Sequence, residues 1–353
     1  MTRGSCRGVT LVELLVATAL GIVVVGAVAT LVAAGYVHGR VQPEANDAQQ
    51  RLRAGVEALR SALAGAGAGL VVATGAREAG SGLPALLPQR FAVREPDAEL
   101  VAFTDRLTVL VAPDGSSQAG LAMPLADPGA PLPLAPLAGC AAGDPACGFR
   151  QGDLGVVLDL DGHADLVRAA SVTGNEIAHV PAVLGTAYDP ARGARVVRAA
   201  ARAFLFDRAS GQLREYRGQA WGVAVIDHVV AFRVQYFGDA VPPTDHHRAD
   251  GVATCLTEAD GTPRLAALVP DAGPLVELTP ERLSDGPVCG RAPFRFDADL
   301  LRLRLARVTL RVETPSASLR GPDPGLFVRP GRAPGATVPD QEVTFDVALR
   351  NRS

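Results

Sequence analysis

Four groups of residues have types and spacing that could do chemistry. The segment "DLDGHAD", Asp159 to Asp165, sets three acids and a histidine around a glycine. Calcium loops of the EF-hand kind need twelve-residue ligand spacing and a closing glutamate; neither is present, and a hairpin turn is the expectation. "TDHHRAD", Thr244 to Asp250, offers two adjacent histidines between acids. Neighbours in sequence do not share a helix face, so a solvated loop is expected there. Four cysteines, Cys140, Cys147, Cys255 and Cys289, could form disulfides or hold a metal. Neither near pair has the C-x-x-C spacing of zinc sites. No G-x-S-x-G, H-E-x-x-H or G-x-x-x-x-G-K-[ST] occurs. No catalytic residue, metal or cofactor is therefore expected, and the chain reads as no enzyme.

The fourth group is a single acid. From Val9 to Gly35 the chain is apolar or uncharged except for Glu13. A helix needs roughly 20 apolar residues to cross a bilayer, so the run is long enough. Arg3 and Arg7 precede it, and basic flanks stay on the cytoplasmic side. The expectation is a single-pass span, N-terminus in, with everything after about Arg40 outside. A carboxylate at membrane depth costs on the order of 2.5–3.5 kcal/mol and needs a partner. No basic residue lies within two turns on the same helix, so the partner must come from another chain. The competing reading is a secretory signal peptide cut after Ala29; Glu13 inside its apolar core and the apolar run beyond the cut count against it.

The elements that must position Glu13 follow. "EANDAQQRLRAGVEALRSALAGAG" places Leu52, Val56, Leu59 and Leu63 on one helical stripe, and Gly65, Gly67 and Gly69 stop it. From Val9 to Ala64 such a helix would be roughly 84 Å long, with Pro43 at the join. After Leu70 the pattern turns to strands. "DRLTVLVAPDG", "GDLGVVLDLDGHADLVRAASV", "VVRAAARAFLFDRASGQLREYRG" and "WGVAVIDHVVAFRVQYFGD" read as strands and hairpins, the third turning at Ala209–Gln212. "LLRLRLARVTLRVET" alternates leucine and arginine like a strand with one wet face, with a helix as the alternative. "QEVTFDVALRNRS" puts Val343, Phe345, Val347 and Leu349 on one face. Residues near 117–150 and 239–294 read as long loops, each holding one cysteine pair. Glycine (38) and proline (27) are together about 18% of the chain, above the average of about 12%. Trp221 and the aromatics Tyr216, Phe232, Tyr236 and Phe237 read as core.

The formal net charge is −3, and lysine and arginine nowhere cluster as a nucleic-acid footprint does. Of the five cysteines, Cys6 precedes the apolar run; outside the cytoplasm the other four are an even set that fits two disulfides, with three pairings open. The sequence neighbours, Cys140–Cys147 and Cys255–Cys289, are favoured, because Gly143, Asp144 and Pro145 turn "CAAGDPAC" back on itself.

"RGVTLVELLVATALGIVVVG" resembles the leader of type IV pilins and type II secretion pseudopilins. The resemblance implies cleavage by a prepilin peptidase between Gly8 and Val9, N-methylation of Val9, and Glu13 as fifth residue of the mature chain. There it would pair with the N-terminal ammonium of a neighbouring subunit. Val9 departs from the family, where this residue is usually phenylalanine. "QQRLRAGVEALRSAL", "IDHVVAFRVQYFGD" and the "VTFDVALRNRS" ending are similar to PilW-type minor pilins; GspJ-type minor pseudopilins are usually shorter. The implied fold is α+β and pilin-like: a leader over 1–8, a membrane or fibre-core helix over 9–36, its amphipathic continuation over 37–66, and a mainly antiparallel β head over 67–353. The implied function is a minor pilin that primes or caps a type IV pilus, with other minor and major pilins, the prepilin peptidase, the inner-membrane assembly platform and lipid as partners. It would begin in the inner membrane with its head in the periplasm, and end in the fibre at the cell surface. A minor pseudopilin of type II secretion and a membrane-tethered surface adhesin are the alternatives.

Overall fold

The computed structural model describes residues 9–70, 82–113, 117–136, 140–141, 143–218, 221–240, 255–256, 274–320 and 338–349, with main chain only for residues 33–40, Pro136 and Ser318. Helix α1 runs Leu11–Ala64 and continues through Pro43. Two compact units divide the chain: Met1–Gln50 with Glu313–Asp340, and Arg51–Val312 with Gln341–Ser353. In the first, the Thr314 hydroxyl donates to Glu44, Arg320 faces Glu313 at 3.3 Å, and Val338 donates to the Leu319 carbonyl.

In the second unit, Leu52, Leu59 and Leu63 of α1 are buried and Val56 is half-buried, the stripe expected from their spacing. The helix approaches the strands tightly at Gly55, where a Cβ would stand 2.7 Å from the Ile226 Cδ1 and 2.8 Å from the Leu310 Cδ2. Only hydrogen at that position lets the helix lie so near the strands. After Ala64 the Gly67 amide donates to the Leu110 carbonyl at 2.8 Å and the Ala112 amide to the Ala68 carbonyl at 2.7 Å. Gly69 takes φ +72°, a conformation that suits glycine, at this helix end.

The strands are β1 Leu86–Leu87, β2 Arg106–Val111, β3 Gln118–Leu121, β4 Leu132–Pro136, β5 Leu154–Leu158, β6 Ala164–Thr173, β7 Glu176–Val180 and β8 Arg195–Asp207. Then come β9 Gln212–Tyr216, β10 Val223–Ile226, β11 Val229–Asp239, β12 Leu275–Leu278, β13 Val288–Cys289, β14 Phe296–Asp297, β15 Leu303–Val312 and β16 Gln341–Ala348. All pairings between them are antiparallel. An N-terminal helix and antiparallel sheets make the chain α+β.

β8 is the hub. Its first half pairs with β3 on one side and β5 on the other, and β4, β7 and β6 complete the ring, closing a six-stranded barrel. Closure leaves no free edge in that ring. Leu121, Leu132, Leu134, Val157, Ile177 and Val196 fill it. The second half of β8 pairs with β2 and β9, extended by β1 and β10. A separate four-stranded sheet runs β12-β11-β15-β16.

Three sequence expectations need correction. The stretch 117–150 is only partly loop: it supplies β3 and β4, and Leu121, Leu125, Leu132 and Leu134 are buried. The stretch 239–294 contains β12 and β13 among its described residues. The wet face of the arginine-leucine segment is partly dry. Arg302 and Arg311 are buried, and Arg302 holds Asp299 at 2.7 Å and donates to the Asp239 and Ala240 carbonyls. A buried guanidinium is tolerable when its donors are matched this way.

Candidate functional site at the start of the apolar helix

The first helical hydrogen bond runs from the Leu14 amide to the Thr10 carbonyl at 3.1 Å, which makes Thr10 the cap and Glu13 the third residue of the helix. The Thr10 hydroxyl accepts from the Glu13 amide at 3.3 Å. Glu13 reaches back, its Oε2 accepting from the Thr10 amide at 3.0 Å and the Thr10 hydroxyl at 3.1 Å. This reciprocal pattern is a capping box. It satisfies donors that every helix start leaves open, so within one chain the acid has a local use. Oε1 has no partner among the described residues, and Glu13 stands fully exposed. The arrangement can hold a negative charge at a helix N-terminus, where the helix dipole favours it, with acceptor capacity left for a cation from outside the chain.

Below the cap, Leu11–Val32 is long and apolar enough to cross a membrane, and none of these 22 residues is buried. It is a candidate membrane anchor. Gly8, on the far side of the expected cut, lies outside the described residues, as do His246 and His247.

No protein-family model and no curated protein matches the chain. Among solved structures, a type IV-like pilin from Thermus thermophilus is similar at 13% identity, over 57% of this chain and 86% of that one, with a TM-score of 0.19. So loose a superposition leaves fold and function to the chain's own residues.

Cys140 is bonded to Cys147 and Cys255 to Cys289, with Cα atoms 4.9 and 5.0 Å apart. The first loop turns on Asp144, whose carboxylate accepts from the Ala146 and Gly148 amides. "DLDGHAD" joins β5 to β6. One Asp159 oxygen accepts from the Asp161 and His163 amides, and the other lies 2.6 Å from His163 Nδ1. Asp161 meets Arg192 at 2.6 Å. These bonds are those of a hairpin turn. Asp165 accepts from the Gly185 amide and the Tyr188 hydroxyl, and its burial pushes its pKa up against those two bonds. Of the aromatics expected in the core, Tyr216, Phe232 and Tyr236 are buried, while Phe237 is half-buried under Arg307. Trp221 is the exception, 72% exposed: it follows β9 beyond the last pairing of that strand, where no described layer covers it.

The one feature of this site that spacing alone did not bring forward is Thr10. T-x-x-E ahead of an apolar run is a capping signature, and "TLVE" spells it.

Proposed function

We propose that this chain is a minor pilin of a type IV pilus. Its leader, residues 1–8, would be removed between Gly8 and Val9, and the new amino group of Val9 methylated. Residues 9–36 would sit first in the inner membrane and then in the fibre core, 37–66 would carry the helix on, and 67–353 would form the head. What supports the reading most is the coincidence at one place of a fully exposed, 22-residue apolar helix and a single carboxylate in its first turn. Such a surface requires lipid or other helices around it, and such a carboxylate requires a cation. The N-terminal ammonium of a neighbouring mature subunit supplies that cation, using the open Oε1 while Thr10 keeps Oε2. The work is assembly with other pilins, after processing by the prepilin peptidase and delivery to the assembly platform; no turnover and no cofactor enter it.

The test is an intact mass of the membrane-extracted protein, made with and without the prepilin peptidase. A chain beginning at Val9, with or without one methyl, and only when the peptidase is present, supports the proposal. Glu13→Ala should then be cut normally yet fail to enter fibres. A chain beginning at Thr30 sinks the proposal, because the apolar helix would be a discarded export signal.

A further inference from the structure

The barrel and the open sheet share β8, and the join is imperfect on one side. Along β2 and β3 the register is carried by Arg195–Val197 and Ala200–Leu205. On the opposite side, β5 pairs with β8 as far as Ala199, opposite Leu154, and β9 begins only at Ala203, opposite Tyr216. Ala200, Ala201 and Arg202 have no strand beside them there among the described residues. The direction of their main-chain groups follows from the alternation of antiparallel strands. The Arg198 amide donates to the Ser117 carbonyl and the Phe206 amide to the Asp105 carbonyl, both on the β2 and β3 side. Even-numbered residues of β8 therefore point that way and odd-numbered ones the other. Ala201 is the odd residue inside the break, so its N–H and C=O are aimed into it. At about 3.3 Å per residue, the break from Ala199 to Ala203 spans roughly 13 Å.

The same place is a cavity of about 490 Å³, with Gly152 and Asp153 at the β5 end, Arg217 and Gly218 at the β9 end, and Arg168 and Arg202 on its wall. That volume lies within the range of ligand sites. Its charge is lopsided. Arg202 and Arg217 share the single carboxylate of Glu215, at 2.6 and 2.8 Å, and Asp153 lies 4.0 Å from Arg198. Arg168 has no carboxylate within ion-pair distance among the described residues. It donates to the Ala92 carbonyl at 2.7 Å, and burial draws its pKa below the ordinary guanidinium value. A guanidinium in a half-buried, cation-rich wall is matched by a carboxylate, which it grips through two parallel N–H bonds.

We propose that this break in β8's pairing is a docking site for an acidic peptide in extended conformation. One peptide residue lies opposite Ala201 and completes the ladder with two main-chain hydrogen bonds, and a neighbouring aspartate or glutamate side chain meets Arg168. Main-chain pairing gives the strand its direction, and the arginine selects the sequence, as in other cases of strand addition. The proposal rests on the β-rich unit alone and is independent of the fate of the apolar helix.

The test uses the full chain in detergent micelles and a blocked five-residue peptide of alternating valine and glutamate, with the valine–glutamine peptide as control. Calorimetric titration should show the glutamate peptide binding and the glutamine peptide binding at least roughly ten-fold more weakly, the scale of a lost charge-assisted bond. Arg168→Gln should weaken the glutamate peptide to the same degree, and Arg168→Lys, which keeps the charge but not the two parallel N–H bonds, should restore only part of the affinity. Hydrogen exchange at the Ala201 amide should slow when the glutamate peptide is bound. Equal binding of the two peptides, or none of either, overturns the proposal. So does binding that leaves Ala201 exchange unchanged and is matched by free glutarate, since that describes an anion site with no added strand.

Discussion

Asp297 offers the most quantitative perturbation in the β-rich unit. Its side chain is buried at 1% exposure, where it caps the short 3-10 turn Ala298–Arg302. Oδ1 accepts from the Asp299 amide at 2.8 Å and Oδ2 from the Gly286 amide at 2.5 Å. Burial pushes its pKa from 3.8 up to about 6, against those two bonds and with help from the negative charge of Asp299 and Asp285. An acid whose folded-state pKa is raised favours the folded protein in its protonated form. The contribution is complete below about pH 4 and is lost as the pH climbs through about 6. The distance between the two values is worth roughly 3 kcal/mol. Asp297→Asn removes the charge but sets its amide nitrogen against one of the two backbone N–H donors, so the variant should start below the parent at pH 4. The variant should gain on the parent by about 3 kcal/mol by pH 7.5, several degrees in melting temperature. Burial also raises Asp165 and Asp299, so the slope of either protein alone is not diagnostic; the difference between their thermal melts from pH 4 to 8 is. Parallel profiles across that range would refute the reasoning.

Two further outcomes are expected. Thr10→Val removes the hydroxyl that the Glu13 amide and carboxylate both use, and should speed amide exchange in the first turn of α1 in micelles, with Thr10→Ser near the parent; equal rates in all three would show the cap to be idle. Replacing Cys255 and Cys289 by serine opens a loop with 34 residues of separation, and should lower stability by about 4 kcal/mol on the chain-entropy relation, against about 2.5 kcal/mol for the seven-residue loop of Cys140 and Cys147. Denaturant melts that rank the two pairs in the opposite order would contradict it.

What the sequence made legible was local. The stripe Leu52, Val56, Leu59 and Leu63 names a helix face because four residues record one period. Likewise, Val343, Phe345, Val347 and Leu349 name a strand face. The hairpins β5–β6 and β8–β9 announce themselves through turns a few residues long. The barrel was not legible, for a physical reason. β3 and β4 lie in a segment rich in alanine, proline and glycine, with weak intrinsic strand preference. They become strands because β8 and β7, dozens of residues downstream, pair with them. Arg311 misled in the same way: alternation marks two faces, but what covers the polar one is decided by distant chain, while Arg302 lies in the 3-10 turn just before β15, where strand alternation does not apply. At the candidate site the missing part was local: Thr10 and Glu13 are three residues apart, and the search for a cation for Glu13 passed over the hydroxyl and amide that its Oε2 already accepts from.

The position of β8 in the chain has a consequence for the order of events during synthesis. Gly120 waits for Arg195, and Val111 for Ala200, so the barrel cannot close nor the open sheet form until residues past 200 have emerged. At about 5–20 residues per second, the 75 residues between Gly120 and Arg195 take roughly 4–15 s to appear. Through that interval β2 and β3, joined partway by β5, exist with bare edges, the condition in which strands find wrong partners. A native contact map dominated by such distant pairs also makes a slow folder. The hub that gives the finished protein its closure thus concentrates its vulnerability into one late moment, when a single strand must reach four others.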